Sequence, residues 1–287
     1  MEYIISETLP EEDYELLDSG DSEKLERYGG IITRRPDPQA LWPKKCAESV
    51  WNDAHAVFGG EGKGRWVFNK QTPDKWRISI GGLNFWIKPF TFKHVGVFPE
   101  HVANWKWIEE QSGKPNAQVL NLFGYTGGAT LAAARGGASV VHLDASRVAV
   151  NVAKENAEIS ELREKPVRWI LDDASIFVRR EMKRGKKYDG IIMDPPAFGH
   201  GADGEVWKIE EHLVPLVENC RKIMTDEPTF FLINGYASGY SALAYKQIIE
   251  FYFPKNGVVE IGELTIQESG ENPRNLPAGI FARWSVK

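Results

Sequence analysis

From about Phe98 onward the chain alternates short, nearly continuous apolar runs with longer stretches of helical period, and this alternation restricts the fold more than any other feature. VANWKWIEEQSGK reads as a helix, AQVLNL as a strand, and GGATLAAARGG as a helix ended by glycines. ASVVHL is a strand, and SRVAVNVAKENAEIS is a helix with Ser146 placed to cap it. PVRWIL, SIFVRREMKRG, YDGIIM, EEHLVPLVENCRKIM and TFFLIN continue the pattern. Strands that lack polar alternation are buried on both faces, which requires a parallel sheet covered by helices on either side. NGVVEIGELTIQESG and AGIFARWSV are separated by a loop alone, so the sheet should end antiparallel. The predicted class is therefore α/β, a Rossmann-like and mostly parallel sheet with an antiparallel C-terminal strand.

The front of the chain has another texture. YELLDSG, RYGGIITRRP, GRWVFNK, KWRISIG and LNFWIKPF are short aromatic and β-branched runs separated by Gly, Pro and Asp, the signature of strands joined by tight turns. Residues 1–92 are read as a small β-rich N-terminal domain and 93–287 as the α/β domain. Arg34, Arg35, Lys44 and Lys45 form a candidate phosphate-facing patch, with solvated strand-end charges the favoured alternative. Trp66, Trp76 and Trp86 are expected in the core rather than as stacking platforms.

The opening MEYIISETLPEEDYELLDSGD is acidic and lacks the basic flank and apolar run of a signal peptide, and no stretch is apolar for long enough to span a bilayer, so the cytoplasm is expected. Cys46 and Cys220 are the two cysteines, without the clustered spacing of a zinc site, so neither a disulfide framework nor a metal is expected. A net charge of -5 argues against a protein that coats nucleic acid without specificity and leaves a local basic patch possible.

In an open α/β sheet, ligands sit beyond the carboxyl ends of the strands where the strand order reverses, so the residues after each strand carry the chemistry. NLFGYTGGAT follows the first strand, where Gly124, Gly127 and Gly128 allow a sharp turn and the next helix presents unpaired N–H groups. Asp144 follows the second strand, twenty residues after Gly124, the place of an acid that binds ribose hydroxyls. Asp173 follows the third strand and Asp194 the fourth. The order G-Y-T-G-G departs from the G-x-G-x-x-G of a pyrophosphate cradle, and acids after three strands suit a sulfonium nucleoside instead. Taken alone, Asp144 is equally a helix-capping acid.

VLNLFGYTGG, HLDAS, ILDDASIF and IIMDPPAF, in that order, resemble the class I S-adenosylmethionine-dependent methyltransferases. The resemblance is to the family that includes the bacterial large-subunit ribosomal RNA methyltransferases acting on cytosine C5 and guanine N7, and it runs from about Lys93 to the C-terminus, the catalytic domain by this reading. FKHVGVFPEH resembles the segment ahead of the catalytic sheet that helps cover the cofactor, which brings in Phe98 and Glu100. GHGADGEVWK, LERYG and PDPQALW look like a separate branch of that family. The resemblance implies that Asn121, Phe123, Gly124, Tyr125, Thr126 and Gly127 hold the methionine end of S-adenosyl-L-methionine. By the same resemblance Asp144, with Ala145 and Ser146, holds the ribose, Asp173 and Ala174 hold the adenine amino group, and Asp194 borders the methyl donor.

Within DPPAFGHGADGEVWK, Pro195 and Pro196 fix the backbone and remove two N–H donors, leaving carbonyl acceptors suited to an amino or ring N–H group. Phe198 is a candidate to stack on a base, with a core position nearly as good an account. Gly199, Gly201 and Gly204 suggest a mobile loop that brings His200, Glu205, Trp207 and Lys208 to the substrate; a surface loop anchored by Trp207 explains the pattern equally well. Cytosine C5 chemistry requires a thiolate, yet Ala197 follows the Asp-Pro-Pro and INGYASGYS follows the fifth strand, while Cys220 falls within a helix. The covalent route is disfavoured; a nitrogen or oxygen acceptor in RNA, most readily ribosomal RNA, attacks through its own lone pair by in-line transfer, with Asn234 placed to orient it. His94 and His101 flank the cofactor approach, His55, His142 and His212 show no partner pattern, and RREMKRGKK, residues 179–187, is better suited to a helix C-terminus than to RNA. Three alternatives remain: the same transfer to a protein or small molecule, a nicotinamide-dependent oxidoreductase, and a non-catalytic binding module.

Overall fold

The structure is a computed structural model describing residues 2–59, 64–90, 93–200, 204–236 and 239–286, with His200 described by its backbone alone. The His200 side chain and Gly201, both singled out in the sequence, therefore lie outside the described residues. The chain forms two compact units, one of residues 7–102 and 264–278, the other of residues 1–6, 103–263 and 279–287.

Strand β1 (Tyr3–Thr8) opens the chain and lies at one edge of the large sheet. In the first unit β2 (Tyr14–Gly20), β3 (Glu23–Tyr28) and β4 (Ile31–Pro36) form an antiparallel meander. Asp21 and Ser22, both with positive φ, close the first hairpin as the two-residue turn whose twist matches the strands. The short helix α1 (Glu48–Asn52) then carries the chain over to β5 (Ala56–Gly59), which pairs parallel to β4 and antiparallel to β6 (Arg65–Phe68). A second hairpin, β7 (Trp76–Ile80) and β8 (Leu83–Ile87), buries Ile78, Ile80, Leu83, Phe85 and Ile87. Its opposite face carries Arg77, Ser79, Asn84 and Trp86, the period of two expected of a sheet with one wet side.

Charge at the β3–β4 end of this unit is paired internally. Arg34 pairs with Glu23 at 2.7 Å and Glu48 at 2.9 Å, Lys44 with Glu23 at 2.7 Å, Lys45 with Glu268 at 2.8 Å, and Arg35 with the buried Glu26. The four cations of the candidate phosphate patch are thus ion-paired, and the structural alternative accounts for them. The tryptophans are half-buried rather than fully in the core; the indole of Trp66 donates to Phe90 O (2.7 Å) and that of Trp76 to Tyr28 O (2.9 Å), while Lys75 lies 4.2 Å over the Trp86 ring.

In the second unit α2 (Val102–Gln111) precedes β9 (Gln118–Leu122), α3 (Gly128–Arg135), β10 (Ser139–Asp144), α4 (Arg147–Ile159), β11 (Val167–Leu171), α5 (Ala174–Lys183) and β12 (Gly190–Met193). A small hairpin, β13 (Phe198–His200) with β14 (Val206–Lys208), leads into α6 (Ile209–Lys222), β15 (Phe230–Gly235), α7 (Ala242–Tyr252), β16 (Gly257–Gln267) and β17 (Asn275–Val286). The eight-stranded sheet runs β1-β16-β17-β15-β12-β9-β10-β11. β11, β10, β9, β12 and β15 pair parallel, and β17 runs antiparallel to β15 with Ile233 opposite Ala282.

Every residue of β12 and β15 is buried, which explains their unbroken apolar sequence. Helix α6 covers them with Ile209, Leu213, Leu216, Val217 and Cys220. Successive strands leave β9 first toward β10 and β11, then on its other side toward β12 and β15. The reversal places a crevice beyond the carboxyl ends of β9 and β12. Of the cations of residues 179–187, Lys187 donates to the C-terminal carbonyl of Lys222 in α6 at 2.9 Å, as the helix-end reading expects, whereas Arg184 pairs with Glu181 at 2.8 Å and Arg180 reaches back to Asp172 ahead of α5. Among the described residues no helix is long and apolar enough to cross a membrane.

Candidate active site

The loop after β9 departs from ordinary backbone geometry at alternate positions. Phe123, Tyr125 and Gly127 have φ of +57°, +47° and +98°. A left-handed conformation at two aromatic residues is unfavourable, and such strain persists where surrounding contacts over-determine it. Several contacts do so here. Gly124 N–H donates to Leu143 O at 2.9 Å, and Gly127 N–H to Gly124 O at 3.0 Å. Asn156 Nδ2 donates to Thr126 O at 2.9 Å. The Phe123 ring meets Trp207 edge-on, with centroids 5.0 Å apart.

The loop rests on the ring of His142, so a Cβ on Gly124 would lie 2.5 Å from His142 Cε1. His142 is fully buried; Thr130 Oγ1 lies 2.9 Å from its Nδ1 and accepts from Asn121 Nδ2 at 2.8 Å. Burial, and secondarily Lys154, brings its imidazole down to about 3, so it is neutral. Its Nε2 has no hydrogen-bond partner and the ring packs on Trp169 at 4.9 Å. The Asn121 side chain is therefore engaged beneath the loop, in a network absent from the expectation. The β9–β10 register sets His142 beside Asn121, and Thr130 reaches both from α3, a convergence that no local spacing encodes.

Asp144, at the end of β10, closes the loop from the other side: its Oδ2 accepts from Tyr125 N–H at 2.8 Å and its Oδ1 from Ser146 N–H at 2.7 Å. Burial raises its carboxyl above the usual range, and the two backbone donors only partly offset this. Each oxygen keeps a lone pair for a further donor such as a ribose hydroxyl. Ser146 Oγ caps α4 by accepting from Ala149 N–H at 3.3 Å, as its sequence position suggests. Gly127 caps α3 with no side-chain acceptor, which leaves the first-turn N–H groups to an external anion such as an amino-acid carboxylate.

Asp173 follows β11 at the same rim, but one of its oxygens accepts from Ile176 N–H at 2.9 Å and so caps α5, with Ala174 buried as the first helical residue. Phe98 belongs to the other unit, where its ring lies 5.1 Å from His94 and 6.1 Å from His101. Glu100, in that unit too, is buried with Oε2 lacking a partner, and burial raises its carboxyl.

After β12 the chain passes through Asp194, Pro195 and Pro196 into the β13–β14 hairpin. The two ends of the segment expected as a mobile loop are thus paired, with Gly199 opposite Trp207. Trp207, 4% exposed, donates its indole N–H to Pro196 O at 2.6 Å. It is the anchor of this segment, and it takes up one of the carbonyls expected for substrate. Phe198 is 57% exposed, as a stacking surface requires. Lys208 pairs with Glu211 at 2.8 Å, and Glu205 is half-buried on the same hairpin. Asn234, 4% exposed at the end of β15, accepts from Asn104 Nδ2 at 2.8 Å, a partner 130 positions away. Cys220 is fully buried, and burial pushes its thiol well above its usual range, so it is no nucleophile. No cluster of metal-ligating residues occurs among the described residues.

The geometry offers a desolvated carboxylate with free lone pairs, helix N–H groups without a cap, and a strained loop between them. These fit a nucleoside that carries an amino-acid tail, as S-adenosylmethionine does. Comparison with known proteins agrees. A methyltransferase crystal structure from Agrobacterium tumefaciens is 40% identical and covers 99% of this chain and 94% of that one, with a TM-score of 0.94. SMU.776, solved with SAH, shares the fold at 17% identity over 95% of this chain and 75% of its own, TM-score 0.71. The ribosomal RNA large subunit methyltransferase I of Escherichia coli is 42% identical over 84 residues, 29% of this chain, so the match spans about a fifth of that relative's length. The pattern of one family matches residues 58–235, more than half of the chain, and the protein belongs to that family, the S-adenosylmethionine-dependent methyltransferases.

Proposed function

We propose that the protein methylates RNA, with ribosomal RNA as the substrate and the cytoplasm as the place, at a nitrogen or other non-C5 position by direct in-line transfer. The observation that carries this reading is the acceptor side of the site. Asp194 and two prolines stand at the strand reversal beside the exposed Phe198, and neither position where a C5 enzyme holds its thiol has a cysteine. The name of the Escherichia coli relative, a ribosomal RNA large subunit methyltransferase, supports RNA over protein as the acceptor.

S-adenosylmethionine supplies an electrophilic methyl on a sulfonium centre and leaves as the thioether. The rest is positioning. Asp144 receives the ribose hydroxyls, while the uncapped N-terminus of α3 receives the amino-acid carboxylate. Asp173, through the oxygen that does not cap α5, receives the adenine amino group, as the resemblance implies. The Asp194 carboxylate accepts a hydrogen from the acceptor's N–H, turning the nitrogen lone pair toward the methyl, and Phe198 stacks on the base.

The test is transfer of labelled methyl from S-adenosylmethionine into total RNA and total protein of a strain lacking this protein, followed by mass spectrometry of the nucleosides. An N-methylated nucleoside in the large ribosomal RNA is expected. Label confined to protein, or a 5-methylcytidine product, contradicts the reading.

A further inference from the structure

Tyr245, on α7, is 1% exposed within the core that covers β12 and β15, yet its hydroxyl has no hydrogen-bond partner. Buried hydroxyls are nearly always bonded, and an exception calls for an explanation. The hydroxyl sits close against Gly235, where a Cβ would lie 2.3 Å from its oxygen. Gly235 is the last residue of β15, so the hydroxyl stands over the carboxyl end of that strand. The parallel register sets Met193 beside Ile233, which puts Asp194 level with Asn234 and one residue short of Gly235 on the adjacent strand. Neighbouring strands lie about 4.8 Å apart. A donor without a partner therefore lies at the strand end next to the backbone of Asp194, near enough to feel that residue's charge.

We propose that Tyr245 is a positioning residue for methyl transfer, its O–H donating to the Asp194 carboxylate when the site is loaded and so fixing the oxygen that receives the acceptor's hydrogen. This rests on Asp194 lying in the transfer site and does not depend on whether the acceptor is RNA. The electrostatics agree: burial and then the Asp194 charge push the Tyr245 phenol up to about 12, so it remains a donor at every working pH. Gly235 is likewise explained as the one residue that leaves room for the hydroxyl above the strand end.

The phenol ring does the packing and the hydroxyl does not, so Tyr245→Phe separates the two roles. Three quantities are measured on wild type and variant: the thermal midpoint, the Kd for S-adenosylhomocysteine, and the initial rate of labelled methyl transfer into RNA and protein from a strain lacking this protein. The midpoint should stay equal or rise, the Kd should change less than twofold, and the rate should fall at least tenfold in kcat. An unchanged rate, or a lowered midpoint showing that the hydroxyl was bonded in the resting protein, overturns the proposal. If the wild type labels protein instead of RNA, the RNA reading falls and the Tyr245 comparison is made on that protein. Failure of the wild type to label either fraction contradicts methyl transfer and this proposal together.

Discussion

Glu26 and Asp144 are both carboxylates withdrawn from water, and the two units hold them in opposite ways. Glu26, 0% exposed in the β-rich unit, faces Arg35 and Lys24 and accepts from the hydroxyls of Tyr14 (3.0 Å) and Tyr28 (2.9 Å). Burial works to raise its carboxyl, and the cations outweigh that, holding it at about 2. Asp144 meets two backbone N–H groups alone, and burial leaves it above its ordinary range. A carboxylate fully compensated by its own chain is structural. One left short of a partner, at the rim of a parallel sheet, is available to a ligand.

The largest effect should come from breaking the compensated one. Glu26→Gln leaves the Arg35 guanidinium buried without its counter-charge, and removing one partner of such a pair costs about 3–5 kcal/mol. Urea unfolding should show that loss, and a variant as stable as the wild type would erase the contrast. At the other pole, Asp194→Ala removes a hydrogen bond from a charged group, worth about 1.5–3 kcal/mol. Single-turnover transfer should slow by about 10- to 100-fold while cofactor affinity holds; an equal loss in both would move Asp194 to the cofactor side.

Gly124→Ala sharpens the comparison by disturbing the support under Asp144, not its charge. Its Cβ meets His142 Cε1 at 2.5 Å, and overpacking of this kind costs about 1–3 kcal/mol. Weaker cofactor binding with a small drop in midpoint is expected, and wild-type binding would show that the loop does not need its seat on His142.

The same contrast reads out in pH dependence. Glu26 and Glu268 are both held at about 2, against an unfolded value near 4.5. Carboxyls depressed by folding contribute stability above the unfolded value that is lost as pH falls through the folded one, so stability should decline from about pH 4.5 toward 2. Asp144, shifted upward, works in the opposite direction, and its cost to the fold lessens as it protonates. A midpoint flat from pH 5 to 2 would contradict the assignment of Glu26 and Glu268.

Much of this was legible in the sequence, because a parallel sheet buried on both faces writes itself as unbroken apolar runs and its ligand residues follow the strands at short range. Ser146 as a cap and the antiparallel end follow from local chemistry of this sort. What was not legible depends on register between distant segments. Asn121 lies where the spacing puts it, but its amide is taken by Thr130, and His142 acquires its partner only once β9 and β10 align. α7 carries no strong signal in ALAYKQIIEFY beyond its apolar content, so Tyr245 was invisible until the sheet placed it over Gly235. Trp207 fitted an anchor and a substrate contact equally until its bond to Pro196 was seen.

Calorimetric titration of S-adenosylmethionine into wild type and Asp144→Asn, with the thermal midpoint recorded for each, reaches the central claim most directly. The account predicts at least a tenfold weaker Kd and a midpoint within a few degrees of wild type, since relief of the buried charge offsets the loss of one backbone acceptor. An unchanged Kd, or a collapse in stability like that expected of Glu26→Gln, would make Asp144 a structural acid and remove the basis for the site.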